Sequence, residues 1–184
     1  EIYKIIHTQN LNHPNIAMTL NNIGEVYRSK NEYEKALEYA EKSYEIYKIA
    51  YYNDPNHPYI ATSLNNIGLV HKSKGDYDKA LEYYEKSYEM YKIVHANNLN
   101  HPNIAITLNN ISSIYNNKAE YDKALKYAEK SHEIYKIIYN NDQNHPSISS
   151  SLLNIRTIKA NKKQNENIDN LMRSSNKSNA CIIF

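Results

Sequence analysis

The sequence predicts an all-α solenoid built from stacked helical hairpins with a 44-residue period. Three observations predict it: a His-Pro pair recurs at that interval, apolar residues within each interval follow helical spacing, and turn-forming residues are scarce. The chain of 184 residues contains 3 Gly and 5 Pro, the residues that β-sandwiches and β-barrels need for their many turns. An all-β fold is therefore disfavoured.

The internal repeat defines the units of the chain. The recurring pairs are His13-Pro14, His57-Pro58, His101-Pro102 and His145-Pro146. Residues 13–56 and 57–100 share 28 identities over 44 positions, far more than chance would produce. We therefore predict repeats at 13–56, 57–100 and 101–144. Because one amphipathic hairpin cannot bury its apolar face alone, successive repeats must stack and share a continuous core.

Each repeat carries two amphipathic helices separated by a short break. The apolar positions of the first repeat are Ile16, Leu20, Ile23 and Tyr27 in the first helix, and Tyr33, Ala36, Leu37, Ala40, Tyr44 and Tyr47 in the second. The proline after each His begins the first helix, where its missing N–H is harmless. The break lies at 29–31, and Gly75 at the matching place of the second repeat suits a left-handed turn.

The two ends of the chain depart from the repeat. Residues 1–12 match the end of a second helix and predict the remnant of a truncated upstream repeat. Residues 145–160 predict the capping helix of a degenerate fourth repeat, because Leu153, Arg156 and Lys159 replace an Asn, a small residue and an aromatic residue. Residues 161–184 are polar and predict a disordered tail.

Small residues at three positions of each unit, together with the aromatic residues near them, resemble a known repeat family. The position-matched small residues are Gly24, Gly68 and Ser112, then Ala36, Ala80 and Ala124, then Ser43, Ser87 and Ser131. With Tyr27 and Tyr33 at their spacing, the pattern resembles a tetratricopeptide array. The motif His-Pro-x-Ile-Ala-x-x-Leu-Asn-Asn-Ile-Gly at 57–68 and the long period resemble its kinesin light chain branch. The resemblance implies a tetratricopeptide-type α-α superhelical solenoid whose first helices line a concave, peptide-binding groove.

Polar residues of the first helices are the candidate peptide-binding residues. They form two neighbouring ladders, Asn21, Asn65 and Asn109 in one and Asn22, Asn66, Asn110 and Asn154 in the other. An amide donates and accepts hydrogen bonds, so successive rungs could pair with the backbone of an extended peptide. Arg28 and Lys72 would favour an acidic peptide. Two plainer interpretations stay open: Asn merely tolerates a polar surface that repeat copying preserves, and helix C-termini favour cations anyway.

Composition and spacing argue against other roles. The 22 basic and 20 acidic residues leave a net charge of +2, too little to indicate nucleic-acid binding. His residues on stacked units lie about 10 Å apart and cannot share one metal ion, so they are interpreted as helix-entry residues. Helical spacing indicates core packing rather than base stacking for Tyr44, Tyr47, Tyr88 and Tyr91. Known catalytic motifs and phosphate-binding loops are missing, so we predict neither enzyme activity nor a cofactor.

The last four residues, Cys181-Ile182-Ile183-Phe184, match a prenylation box whose terminal Phe favours a geranylgeranyl group. A single lipid anchors a protein reversibly, so we expect peripheral association with the cytosolic face of a membrane. The lone cysteine also fits a reducing, cytoplasmic location.

Two functional hypotheses follow from the sequence. The first is a noncatalytic adaptor that binds a protein or peptide partner in its groove. The alternative is that the repeats form the sensor or targeting arm of a larger enzyme, for example a nucleotide-dependent switch, whose catalytic domain precedes Glu1.

Overall fold

The computed structural model of the chain describes residues 12–140, 142 and 144–180. This part contains seven helices and no strands. The helices are α1 (Pro14–Ser29), α2 (Tyr33–Ala50), α3 (Pro58–Lys74), α4 (Tyr77–Val94), α5 (Pro102–Asn117), α6 (Tyr121–Ile138) and α7 (Pro146–Ala180). The first six helices form three hairpins, each an odd-numbered helix paired with the next one, and the hairpins and α7 stack in chain order. The predicted all-α solenoid is confirmed.

Every first helix begins in the same way. A His precedes the proline, and its Nδ1 atom accepts a hydrogen bond from the backbone N–H two residues later, at 3.2 to 3.3 Å. The interpretation of these residues as helix-entry residues is therefore confirmed. Three of the rings also stack on an aromatic residue that follows the preceding helix, in the pairs Tyr51–His57, His95–His101 and Tyr139–His145. Each of these rings thus ties consecutive units together.

The turn inside each hairpin needs one residue with positive φ. That residue is Asn31 (φ 62°), Gly75 (φ 89°) or Ala119 (φ 58°) in the three units. Glycine adopts this conformation freely and Asn tolerates it, whereas Ala is strained there. The prediction of a left-handed turn at Gly75 is confirmed.

Small residues let the two helices of a hairpin pack closely. Ser43, Ser87 and Ser131 are fully buried, and each Oγ donates to the carbonyl of Ala17, Ala61 or Ala105 at 2.7 to 2.8 Å. The contact requires the second helix to approach the backbone of the first helix directly. Ala36, Ala80 and Ala124 are fully buried as well. The predicted close-packing positions are therefore confirmed.

The last helix departs from the expectation for the C-terminal region. A helix ending near residue 160 and a disordered tail are expected, but α7 continues to Ala180. The helix stays docked through Asn161, which donates to Asn116, and Lys162, which bonds to Asp122. Lys163 then stands where the other units have their positive-φ turn residue, so nothing in the sequence forces the chain to reverse.

Within the described residues, no second helix follows the C-terminal helix. Asn165 occupies the position at which tyrosine begins each second helix, and Arg156 and Lys159 are exposed, as expected for a cap. The predicted upstream remnant falls almost entirely on residues 1–11 and the prenylation box on residues 181–184, and both segments lie outside the described residues. Among the described helices, none is long and apolar enough to span a bilayer.

Candidate functional site

The first helices α1, α3, α5 and α7 form one face of the solenoid, which we call the concave face. From α3 to α7, neighbouring first helices are bonded to each other through side chains. From α1 to α5, neighbouring first helices also come closer to each other than neighbouring second helices do. Because a stack curves toward the side on which its elements are closer together, the first helices line the inside of the curve. This agrees with the arrangement that the family resemblance implies.

Amide pairs join neighbouring first helices. Asn110 Nδ2 donates to Asn65 Oδ1 at 3.1 Å, and Asn154 Nδ2 donates to Asn109 Oδ1 at 2.8 Å. A third pair, Asn161 to Asn116 at 3.1 Å, extends the series toward the end of the hairpins. Each pair links residues 45 apart, one more than the repeat period. The two predicted ladders are therefore cross-linked rather than independent.

Sequence reasoning missed these pairs, although a signal was available. Two consecutive Asn residues recur in the first three units with a period of 44 residues. When helices stack with a small lateral offset, the first Asn of one helix lies beside the second Asn of the next. Each pair uses one N–H of one amide and the oxygen of the other, so the remaining N–H groups and lone pairs stay on the concave face.

The first unit breaks the pattern of amide pairs. Asn21 Oδ1 is buried without a hydrogen-bond partner in the described part of the chain, although Asn66 lies at the position that would pair with it. Both amides line a cavity of about 330 Å³ together with Gly24 and Ala40. The Asn22 side chain also lines this cavity and is exposed. This stretch of the concave face combines open volume with an unsatisfied acceptor.

The two predicted groove cations have different surroundings. Arg28 forms an ion pair with Glu25, and its Nη1 donates to Ser73 at 3.0 Å. The hydrogen bond from Arg28 lowers the pKa of the Glu25 carboxyl, and the same contact raises the pKa of Arg28. Lys72 makes no ion pair within the described residues. Burial, together with the nearby Arg28 charge, lowers the pKa of Lys72.

The tyrosines that helical spacing assigns to packing lie in the core or against it. Tyr47 and Tyr91 are buried in the core, and Tyr44 and Tyr88 pack against it at the edge of the furrows. In residues 12–140, 142 and 144–180, no three His, Cys, Asp or Glu side chains converge in a way that could hold a metal ion.

Family models of the tetratricopeptide repeat match most of the chain. One model, described as a tetratricopeptide repeat, matches residues 4–49 and again residues 50–93. A second model with the same description matches residues 104–147. No curated protein sequence matches the chain significantly.

Solved structures of related repeat proteins share the fold. A Podosopora anserina protein assigned as a kinesin light chain, with nearly identical TPR-like repeats, superimposes with a TM-score of 0.70 at 16% identity. That match covers 94% of this chain and 79% of the other. A single-residue variant of the same Podosopora protein gives a TM-score of 0.70 at 16% identity, with 94% and 78% covered. BtubC (BKLC) from P. vanneervenii gives a TM-score of 0.69 at 16% identity over 92% of this chain and 66% of its own length.

Proposed function

The chain belongs to the tetratricopeptide repeat family, and from that premise we propose that it is a noncatalytic scaffold whose concave face binds an extended segment of a partner protein. Repeats of this family generally mediate protein–protein interaction. The observation that carries the proposal is the unused hydrogen-bonding capacity of the amides on the concave face. Asn22 is exposed, and the amide pairs leave N–H groups of Asn65 and Asn109 and oxygens of Asn110 and Asn154 available.

The amides suit a peptide backbone because both have donors and acceptors. Neighbouring first helices are about 8–10 Å apart, and an extended segment rises about 3.3 Å per residue. Such a segment would therefore meet a new amide pair about every third residue. Recognition of this kind is independent of the peptide sequence, so specificity must come from the side chains around the amides.

Charge on the concave face favours an acidic segment. Arg28 already has a carboxylate partner in Glu25, but Lys72 has none within the described residues. A half-buried ammonium without a counterion is destabilised, and a carboxylate from the ligand would relieve this. In the third unit, Asn116 replaces the cation and pairs with Asn161. We therefore propose that the acidic residue of the ligand binds near the second unit.

An array of extended dodecapeptides of varied net charge tests this proposal. We expect the chain to favour acidic peptides and Lys72→Glu to reverse that preference. The matched control is Lys79→Glu, which changes the net charge equally but lies at an exposed position of α4. Combined Asn22→Ala, Asn66→Ala and Asn110→Ala substitutions should weaken binding to all peptides at least tenfold. Binding that survives the triple substitution would exclude the amide face as the peptide site.

We also propose that Cys181 carries a geranylgeranyl group that tethers the scaffold to the cytosolic face of a membrane. The motif Cys181-Ile182-Ile183-Phe184 supports this, and α7 carries the chain to Ala180, immediately before the cysteine. Mass analysis of the C-terminal peptide from eukaryotic cells should show the lipid adduct, and Cys181→Ser should abolish it together with membrane recovery. An unmodified Cys181 would rule out the tether.

A further inference from the structure

The second helices α2, α4 and α6 form the opposite face of the solenoid, which we call the convex face. Two furrows cross it, one between α2 and α4 and the other between α4 and α6. Their volumes are about 550 and 260 Å³. The furrows are lined by equivalent residues 44 positions apart, in the pairs Tyr44 and Tyr88, Leu64 and Leu108, Met90 and Ile134, and Ile93 and Ile137. The convex face therefore carries a repeated apolar surface.

An exposed isoleucine marks each second helix of the convex face. Ile49, Ile93 and Ile137 are 52%, 58% and 50% exposed, and they are again spaced by 44 residues. Single exposed apolar residues are ordinary, but a row beside two apolar furrows indicates a contact surface. We call these three residues the isoleucine row.

Two charges of opposite sign on the convex face lack an ion-pair partner among the described residues. Lys126 stands in α6 where α2 and α4 have Glu38 and Glu82. Lys42 and Lys86 are neutralised by those glutamates, but Lys130 has no such partner and forms no ion pair within the described residues. Glu85, which lines the first furrow, likewise forms no ion pair there. The furrow beside α2 thus has a spare negative charge, and the furrow beside α6 has a spare positive charge.

This pattern is complementary to itself, and we propose that two copies of the chain pack convex face to convex face. A two-fold axis between the two faces and perpendicular to α4 would leave each helix facing its own type, whereas an axis lying along α4 places α2 of each copy opposite α6 of the other. Ile93 then meets its own symmetry mate, and Ile49 meets Ile137 of the partner subunit. Glu85 of each copy then lies at the same level along the helix axis as Lys130 of the partner subunit. An isologous interface requires a surface of this self-complementary kind.

The convex face is comparable in area to a standard protein interface. Its three helices are each 18 residues long. Helices of this length extend about 27 Å, and three of them set at or beyond the packed spacing of about 10 Å present a face of roughly 800 Å² or more. A standard protein interface buries about 800 Å² on each partner. The concave face stays open in this dimer, so both copies could bind partner peptides at once and gain avidity.

Sedimentation equilibrium over a range of concentrations up to ~200 µM tests the dimer, because this range covers weak homodimers. We expect a dimer for the natural chain and at least a tenfold weaker dimer for Ile93→Glu. The matched control is Met18→Glu, since Met18 is 53% exposed but lies on α1. Circular dichroism verifies that both variants remain folded. A natural chain that stays monomeric, or an Ile93→Glu variant that dimerises like the control, would overturn the proposal.

A charge exchange tests the orientation of the two copies. Lys130→Glu should weaken the dimer severalfold because it places like charges opposite Glu85. Adding Glu85→Lys to that variant should restore the dimer, since the opposed pair is regained with the signs reversed. If the double variant remains as weak as Lys130→Glu, the arrangement about α4 is wrong.

Discussion

The first and second units differ in how they fill the space between the two helices of the hairpin. At one position of the second helix the chain has Tyr84, whereas the equivalent residue of the first unit is Ala40 and that of the third unit is Ala128. Tyr84 is fully buried, and its ring lies so close to Gly68 that an added Cβ would approach it to 2.8 Å. In the first unit, Ala40 instead lines a cavity of about 330 Å³. Repeats that share most of their residues therefore need not have identical cores.

The small position is occupied by glycine in the first two units and by serine in the third, with different contacts in each. Gly68 makes room for Tyr84, and Ser112 in the third unit instead donates to the Ala124 carbonyl at 2.8 Å. A Cβ added to Gly24 would meet the Ala36 carbonyl at 3.2 Å and would have only ordinary contacts with Tyr39 and Ala40. In the second unit, the Tyr84 ring fills the space left by the absent side chain of Gly68. In the first unit, the matching space beside Gly24 and Ala40 stays empty and opens on the concave face.

Removing the large side chain of the second unit should have the largest effect on stability. We expect Tyr84→Ala to lower the free energy of unfolding by about 3–5 kcal/mol, because it creates a cavity like that of the first unit in the middle of the stack. The buried hydroxyl of Tyr84 has no hydrogen-bond partner among the described residues, so Tyr84→Phe should change stability little. Urea unfolding measures both, and equal losses would show that packing of the ring does not dominate.

Adding a methyl group to the small position should distinguish the two units. Gly68→Ala should destabilise the fold by about 1–3 kcal/mol, because its Cβ would clash with the Tyr84 ring. Gly24→Ala should be near neutral, since its tighter contact is offset by a gain in helix propensity of about 1 kcal/mol. Thermal unfolding of the two variants side by side measures the difference. Equal effects would show that contact with the Tyr84 ring is not the reason for the glycine at Gly68.

The positive-φ turns offer a comparison between the second and third units. Ala119→Gly should stabilise the fold by about 1 kcal/mol, because it relieves the strain of a left-handed Ala. Gly75→Ala should destabilise it by a similar amount, and its added Cβ would meet nothing within 4 Å, so the backbone conformation alone is responsible. Chemical denaturation measures both changes. If both substitutions stabilise the fold, or both destabilise it, the left-handed backbone conformation is not the cause.

The smallest expected effect concerns the histidine pair between the second and third units. His95 stacks on His101 at 3.5 Å, where the neighbouring units stack Tyr51 or Tyr139 on the capping His. Burial and the His101 charge lower the pKa of His95, and burial lowers the pKa of His101. The unfolded chain therefore binds more protons, and stability falls as the pH drops through about 6.5 toward the lowered folded values.

Replacing His95 with the tyrosine of its neighbours should reduce this pH dependence. We expect His95→Tyr to raise the free energy of unfolding at pH 5.5 by less than about 1 kcal/mol and to change it less at pH 8. Unfolding curves at the two pH values provide the measurement. A gain at pH 8 equal to that at pH 5.5 would show that packing, rather than protonation, is responsible.

The sequence was sufficient to predict most of the fold and the location of the helices. The His-Pro pairs placed the start of each first helix, because Pro fits there and the His side chain caps it. The sequence was insufficient to predict the length of α7, because the end of the repeat pattern predicts a disordered tail there. Polar residues without a stop signal can extend a helix that is already docked at Asn161 and Lys162.

For the concave face, residue types could be predicted but not their partners. The Asn ladders, Arg28 and Lys72 were found by matching positions between copies, and their role in peptide binding stays a prediction. The amide pairs depend on the offset between neighbouring helices, and the Arg28–Glu25 ion pair depends on side-chain conformations. Neither the amide pairs nor this ion pair can be predicted by matching residues between repeats.

The sequence by itself determined the period, the helical hairpins and the positions of caps, turns and small residues, because each of these depends on local backbone preference or on repetition. The tertiary structure alone decided which amides pair, where a cavity opens beside Ala40 and which residues form the isoleucine row of the convex face. These features arise from the distance and lateral offset between stacked helices, which depend on the packing of side chains from three or more helices at once.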